Sequence, residues 1–75
     1  MEELVQFIAE SIVDNPSEVK TNRIDEKNSI TIELSVADED MGKVIGKRGR
    51  IAKAIRTVVN AAAAKEDTKV RVDIK

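Results

Sequence analysis

A chain of 75 residues with 13 basic and 14 acidic side chains has room for one small domain and carries a net charge of −1. It contains no cysteine and no histidine, which excludes disulfides, thiolate metal sites and imidazole acid–base chemistry. A domain of this size buries only about 60% of the surface its unfolded chain exposes, leaving a thin core and no room for a deep cleft with its supporting shell.

The first predicted element is a helix over residues 3–13. Leu4, Ile8 and Ile12 recur every fourth residue, flanked by Val5, Phe7 and Val13, while Glu2, Glu3 and Glu10 take the wet side. This pattern places Phe7, the only aromatic residue, in the core. Asp14-Asn15-Pro16 ends the helix, because the residue before proline avoids the helical region. The start Met1-Glu2-Glu3 is acidic where a secretory signal is basic. No apolar run approaches the roughly 20 residues a bilayer span needs, so a soluble cytoplasmic protein with no membrane partner is expected.

Residues 18–24 read as a weak strand suited to a sheet edge, and 25–28 as a polar turn. Residues 29–36 read as a strong strand, with Ile30, Ile32, Leu34 and Val36 on one face and Thr31, Glu33 and Ser35 on the other. Asp38-Glu39-Asp40 then opens a short helix reaching Ile45, with Asp38 as its N-cap. A glycine-bearing loop leads into a longer helix over 50–65, whose apolar face is Ile51, Ala54, Ile55, Val58, Val59 and Ala62. After a turn at Glu66-Asp67, residues 68–74 form a last strand with Val70, Val72 and Ile74 inward. The order α-β-β-α-α-β predicts an α+β fold in a single domain over residues 1–75. The two early strands make an antiparallel hairpin, the last strand returns parallel to an earlier one, and the helices pack on one face of the mixed three-stranded sheet.

The charge is segregated. Residues 41–65 carry Lys43, Lys47, Arg48, Arg50, Lys53, Arg56 and Lys65 and no acid, a local charge of +7 against −8 elsewhere. Sign asymmetry of this kind marks an anion-binding face. Within it lies Gly46-Lys47-Arg48-Gly49. Residues without Cβ let a backbone approach phosphate closely, and a helix N-terminus behind them adds N–H groups and a positive dipole end. Arg50 and Lys53 extend this positive field, while Arg56 and Lys65 read as ordinary solvated charges. Gly42 reads as a close-packing position in the short helix, with close approach of a polyanion as the alternative.

Rival phosphate motifs fit poorly. A P-loop needs Gly-x-x-x-x-Gly-Lys-Ser/Thr, but Arg48 follows Lys47 and only three residues separate Gly42 from Gly46. A helix-hairpin-helix DNA binder would require a helical context in place of the strands at 29–36 and 68–74. Nor is an enzyme expected, or any catalytic residue, metal or cofactor. The only acidic cluster, Asp38-Glu39-Asp40, is explained by helix capping.

Val44-Ile45-Gly46-Lys47-Arg48-Gly49-Arg50-Ile51, set between two helices in this element order, resembles the signature of the KH domain in its type II form. The resemblance covers nearly the whole chain and extends to the small stand-alone bacterial KH proteins of the KhpA group. It implies single-stranded RNA binding. Gly46 and Gly49 would admit the backbone, Lys47 and Arg48 would supply charge, and Val44, Ile45 and Ile51 would line an aliphatic floor under the bases. Lys43, Arg50 and Lys53 would add to the site, and the sheet edge near Leu34 and Val36 would form the opposite wall. The lack of Trp and Tyr excludes RNA modules that read bases by aromatic stacking.

The resemblance also implies a homodimer or a heteromer with a larger KhpB (Jag-like) RNA-binding protein, RNA chaperoning, and links to cell shape and division. A protein-interaction module with an incidental loop remains the alternative. Ala61–Ala64 could serve a dimer contact or intramolecular packing equally.

Overall fold

The computed structural model describes residues 1–75. Helix α1 (Glu2–Ile12) precedes strands β1 (Lys20–Asp25) and β2 (Ser29–Ser35), and helices α2 (Met41–Ile45) and α3 (Arg50–Lys65) lead to β3 (Lys69–Ile74). The α+β order and the mixed three-stranded sheet are as the sequence predicts. Strand order is β1-β2-β3. β1 pairs antiparallel with β2, Thr21 opposite Leu34, and β3 pairs parallel with β2, Val72 opposite Ile32. The α2–loop–α3 crossover carries the chain back for the parallel pairing. The loop therefore lies inside a sheet-backed fold, which is not the helical setting of a helix-hairpin-helix.

The core sits between the sheet and the helices. Ile32 and Leu34 on β2, Val70 and Val72 on β3, Val5 and Ala9 on α1, Val44 on α2, Ile55, Val59 and Ala63 on α3, and Val19 and Val36 beside the strands are its buried members. The alternation on β2 and β3 follows the sequence pattern, and the weak first strand is an edge with mostly exposed side chains.

Three local readings are corrected. Pro16–Glu18 form a 3-10 turn, so β1 begins at Lys20, after the buried Val19. Asp38 does not cap the short helix, since residues 38–40 form a 3-10 turn with no side-chain cap. The acid that matters there is Asp40, only 1% exposed. Its carboxylate accepts the backbone N–H groups of Asp14 (3.2 Å) and Asn15 (3.0 Å) and the Asn15 Nδ2 amide (3.0 Å). It thereby satisfies donors of the segment leaving α1 and ties that segment to the start of α2.

The third correction concerns the apolar face of α3, which is rotated from the expected set. Ala52, Ile55, Val59 and Ala63 are buried, whereas Ile51, Ala54 and Val58 are exposed. Ala52 and Ala63 on the buried stripe let α3 approach the sheet closely, and Ile51, Ala54 and Val58 are left beside α1. Phe7, expected in the core, is 67% exposed for the same reason. The apolar arcs of α1 and α3 are wider than the surface that a sheet of three short strands can cover.

At its C-terminus α3 closes with Asp67 at φ 55°, Thr68 N–H on the Ala63 carbonyl (3.0 Å) and Asp67 N–H on the Ala64 carbonyl (3.1 Å). This is a Schellman closure with aspartate in the left-handed position that glycine usually fills.

Candidate nucleic-acid interface

The loop between α2 and α3 is built by three residues with positive φ. Gly46 adopts φ 75°, ψ 176°, a region essentially closed to side-chain-bearing residues. A Cβ there would also meet Ile51 Cγ1 at 2.3 Å. Arg48 (φ 59°) and Gly49 (φ 73°) are left-handed, and Lys47–Gly49 form one 3-10 turn closed by Gly49 N–H on the Gly46 carbonyl at 3.2 Å. The chain reverses in four residues and leaves Lys47 and Arg48 exposed at its tip. No side chain caps the N-terminus of α3. The leading N–H groups of a 16-residue helix and its positive dipole end thus stand behind the two cations.

Arg50 and Lys53 are exposed close by on α3. The chain's ion pairs use Arg23, Lys43, Arg71 and Lys75, so the cations of the loop and the first α3 turns have no carboxylate partner. An unpaired group of this kind is open to an external polyanion. Lys43 differs. Its ammonium bonds to Asp14, which holds its pKa above the ordinary lysine value, and Asp40 lies close enough to add to that effect. Lys43 is thus paired in a tie between the end of α1 and α2, unlike the cations of the loop.

The expected aliphatic floor is only partly present. Ile45 and Ile51 flank the loop and are 38% and 39% exposed. Val44 is fully buried and supports the loop from beneath. Leu34 and Val36 are also buried, Leu34 on the central strand, so neither can form a wall. The open edge beside α3 is β3. Between them lies a recess of about 350 Å³ lined by Arg56, Asn60, Val70, Arg71, Val72 and Asp73. Arg56 Nε donates to the Val72 carbonyl at 3.1 Å, so Arg56 is no ordinary solvated charge. The spacing Lys53, Arg56, Asn60 places these residues on one helical face, a signal legible in the sequence once β3 is known to be the free edge. Gly42 is also corrected, since a Cβ there would meet nothing within 4 Å and close packing does not require the glycine.

On the opposite flank of α3, α1 and α3 enclose an entirely apolar groove of about 360 Å³, lined by residues that include Phe7, Ile12, Ile51, Ala54 and Val58. No helix is long and apolar enough to cross a membrane.

The sequence pattern of the family described as "KhpA/KhpB, KH domain" matches residues 2–74. A protein of Clostridium perfringens named "RNA-binding protein KhpA" is 62% identical over 74 residues, 99% of each chain. One of the same name from Caldanaerobacter subterraneus subsp. tengcongensis is also 62% identical over 99% of each chain. The corresponding protein of Halalkalibacterium halodurans is 54% identical over 99% of this chain and 97% of its own. No solved structure matches.

Proposed function

The chain belongs to the KhpA/KhpB family of KH domains, a family of RNA-binding proteins and not of enzymes, and on that premise we propose that it binds single-stranded RNA through the Gly46–Gly49 loop. One observation carries this reading. Lys47, Arg48, Arg50 and Lys53 surround a glycine-built reversal at an uncapped helix N-terminus, and none has an acidic partner. The backbone phosphates would lie over Gly46 and Gly49, held by Lys47 and Arg48. The bases would pass Ile45 toward the recess between α3 and β3, whereas Ile51 lines the opposite flank of α3. One groove contacts only about four nucleotides, so selectivity among transcripts would come from multivalency. Service as an RNA chaperone or post-transcriptional regulator, with consequences for cell shape and division, is the biological role proposed with the resemblance.

Multivalency requires a partner, and the apolar groove between α1 and α3 offers one surface for it. We propose a second copy as its occupant. Beside the groove α1 presents Glu3 and Glu10 and no cation, while α3 presents Arg50 and Lys65 and no acid. A twofold axis that sets α1 against α3 of the other copy would cover both apolar faces and pair opposite charges. A heteromer with a KhpB-type protein would occur as a mixed species of the same kind.

The clamp is tested by anisotropy with labelled single-stranded RNA and the double variant Lys47→Asp/Arg48→Asp. Binding should be lost while the far-ultraviolet circular dichroism stays native. Native affinity in a folded double variant would overturn the clamp. Light scattering on the wild type and Phe7→Glu tests the dimer, which Phe7→Glu should dissociate.

A further inference from the structure

Asp40 is the one charged side chain that the fold buries completely. It adds no cation to the loop and no apolar surface to the core. Taking a carboxylate out of water is costly, so a buried charge is weak evidence of net stabilisation. What a carboxylate with both oxygens engaged does supply is fixed geometry. Oδ1 accepts the Asp14 N–H at 3.2 Å, and Oδ2 accepts the Asn15 N–H and the Asn15 Nδ2 amide, each at 3.0 Å. All three donors belong to the segment leaving α1, and Asp40 immediately precedes α2.

α2 is the element that carries the loop. At five residues it is far below the length at which a helix holds itself in water, so tertiary ties set its position. Val44 anchors it in the core, a single point about which so short a helix can still turn. Asp40 supplies a second point four residues earlier. At the other end Gly46 N–H bonds to the Gly42 carbonyl at 2.8 Å, so the first residue of the loop is tied into α2. Beyond the loop, α3 is held to the fold by buried Ala52 and Ile55. A rotation of α2 against α3 therefore changes the spacing of Gly46 and Gly49. A binding constellation works only while its parts stay within roughly 0.5 Å of the productive geometry.

We propose that Asp40 is a positioning residue of the RNA clamp, which sets from the α1 exit the angle at which α2 presents the Gly46–Gly49 loop. Its effect on RNA is then opposite in sign to its charge. A carboxylate near a cationic loop repels phosphate, so electrostatics alone makes removal of an acid tighten RNA binding. Removing Asp40 should weaken it. Asparagine offers one acceptor oxygen where the carboxylate offers two, and it turns its own Nδ2 donor against a backbone N–H.

This inference rests on the clamp reading, and the experiment separates the two. Anisotropy is measured with a labelled single-stranded RNA of mixed sequence, well below the melting transition, on variants with native circular dichroism. Asp40→Asn should bind about tenfold more weakly than wild type. Asn15→Ala, which removes one of the three donors and no charge, should bind about threefold more weakly. Asp14→Asn keeps the backbone N–H that Asp40 receives and frees Lys43, and it should bind as tightly as wild type or more tightly. Val5→Ala, a core truncation on α1, should lower Tm and keep native affinity. Native or tighter binding by Asp40→Asn, or a loss in Val5→Ala equal to that in Asp40→Asn, would overturn the positioning role and leave the clamp standing. Native affinity in folded Lys47→Asp/Arg48→Asp would overturn the clamp and this role with it. If Asp40→Asn does not fold, Asn15→Ala decides, and native affinity there overturns the role.

Discussion

Replacing each glycine by alanine, one at a time, tests the loop geometry because the three sites differ in backbone and in space. At Gly46 the backbone is in a glycine-only region, which costs an alanine about 1–3 kcal/mol. Its Cβ would lie 2.3 Å from Ile51 Cγ1 and 3.0 Å from the Ile51 nitrogen, so α3 itself would have to shift. Overpacking of that kind adds about 1–3 kcal/mol. The sum, about 2–6 kcal/mol, is set against a total near 4–11 kcal/mol for a chain of this length at roughly 0.05–0.15 kcal/mol per residue. With about 4–8 °C per kcal/mol in a domain this small, Gly46→Ala should lower Tm by at least about 8 °C. Gly49 is left-handed with open space around a Cβ, so Gly49→Ala should cost about 1 kcal/mol. Gly42 is helical with nothing within 4 Å, and alanine there should raise stability by about 0.4–1 kcal/mol. Thermal and urea unfolding of the three variants give the order directly. A Gly46→Ala protein within about 2 °C of wild type, or a Gly42→Ala protein less stable than Gly49→Ala, would refute this account of the loop.

Four further outcomes are expected. Burial raises the Asp40 pKa, but hydrogen bonds from Asn15 and the Asp14 backbone, with Lys43 nearby, lower it more, to a net value below the ordinary 3.8. Its stabilisation is therefore present above the unfolded value and lost as pH falls through the folded one, so Asp40→Asn should flatten the acid limb of a Tm–pH curve below about pH 4. Phe7→Ala should change stability by less than about 1 kcal/mol in urea titrations of dilute protein, since the ring is mostly in solvent. Asp67→Gly should raise Tm by relieving a left-handed aspartate worth about 1 kcal/mol. Each phosphate contact on single-stranded RNA contributes roughly 0.7 to the slope of log affinity against log salt, so removing Lys47 alone should reduce the slope by about that amount.

Most of the architecture was legible because each element announced itself locally. β2 alternates strictly from Ile30 to Ser35, α3 runs from the loop to Lys65 as its periodicity and charge indicated, and Pro16 stops α1. The loop itself was legible as two glycines around two cations. What the sequence did not reveal depended on which surface met which. Periodicity marks an apolar arc but not the part of it that tertiary packing covers, and so Phe7 and Val58 were misplaced in the core. Strand pattern does not give sheet order, and without it a wall near Leu34 and Val36 is expected where the structure buries both and leaves β3 as the edge beside α3. In sequence Asp40 reads as a first-turn acid behind an Asp38 cap, and only the long-range approach of Asp14 and Asn15 singles it out.

The misplacement of Val58 follows from α3 having three working faces where a sequence window sees two. At 100° per residue, Ala52, Ile55, Val59 and Ala63 form one stripe toward the sheet, and Lys53, Arg56 and Asn60 form a second toward the edge of β3. Ile51, Ala54 and Val58 form a third beside α1. A helix needed only for the fold requires the first stripe and tolerates any polar residues elsewhere. The third stripe is apolar, yet no element of this chain covers it, so the fold alone does not explain its composition. Ile51 belongs both to this stripe and to the glycine loop, since it is the residue a Gly46 side chain would strike. Covering the third stripe would therefore immobilise a residue on which the loop rests. On that geometry, the second copy proposed for the apolar groove would stiffen the RNA clamp as well as doubling it.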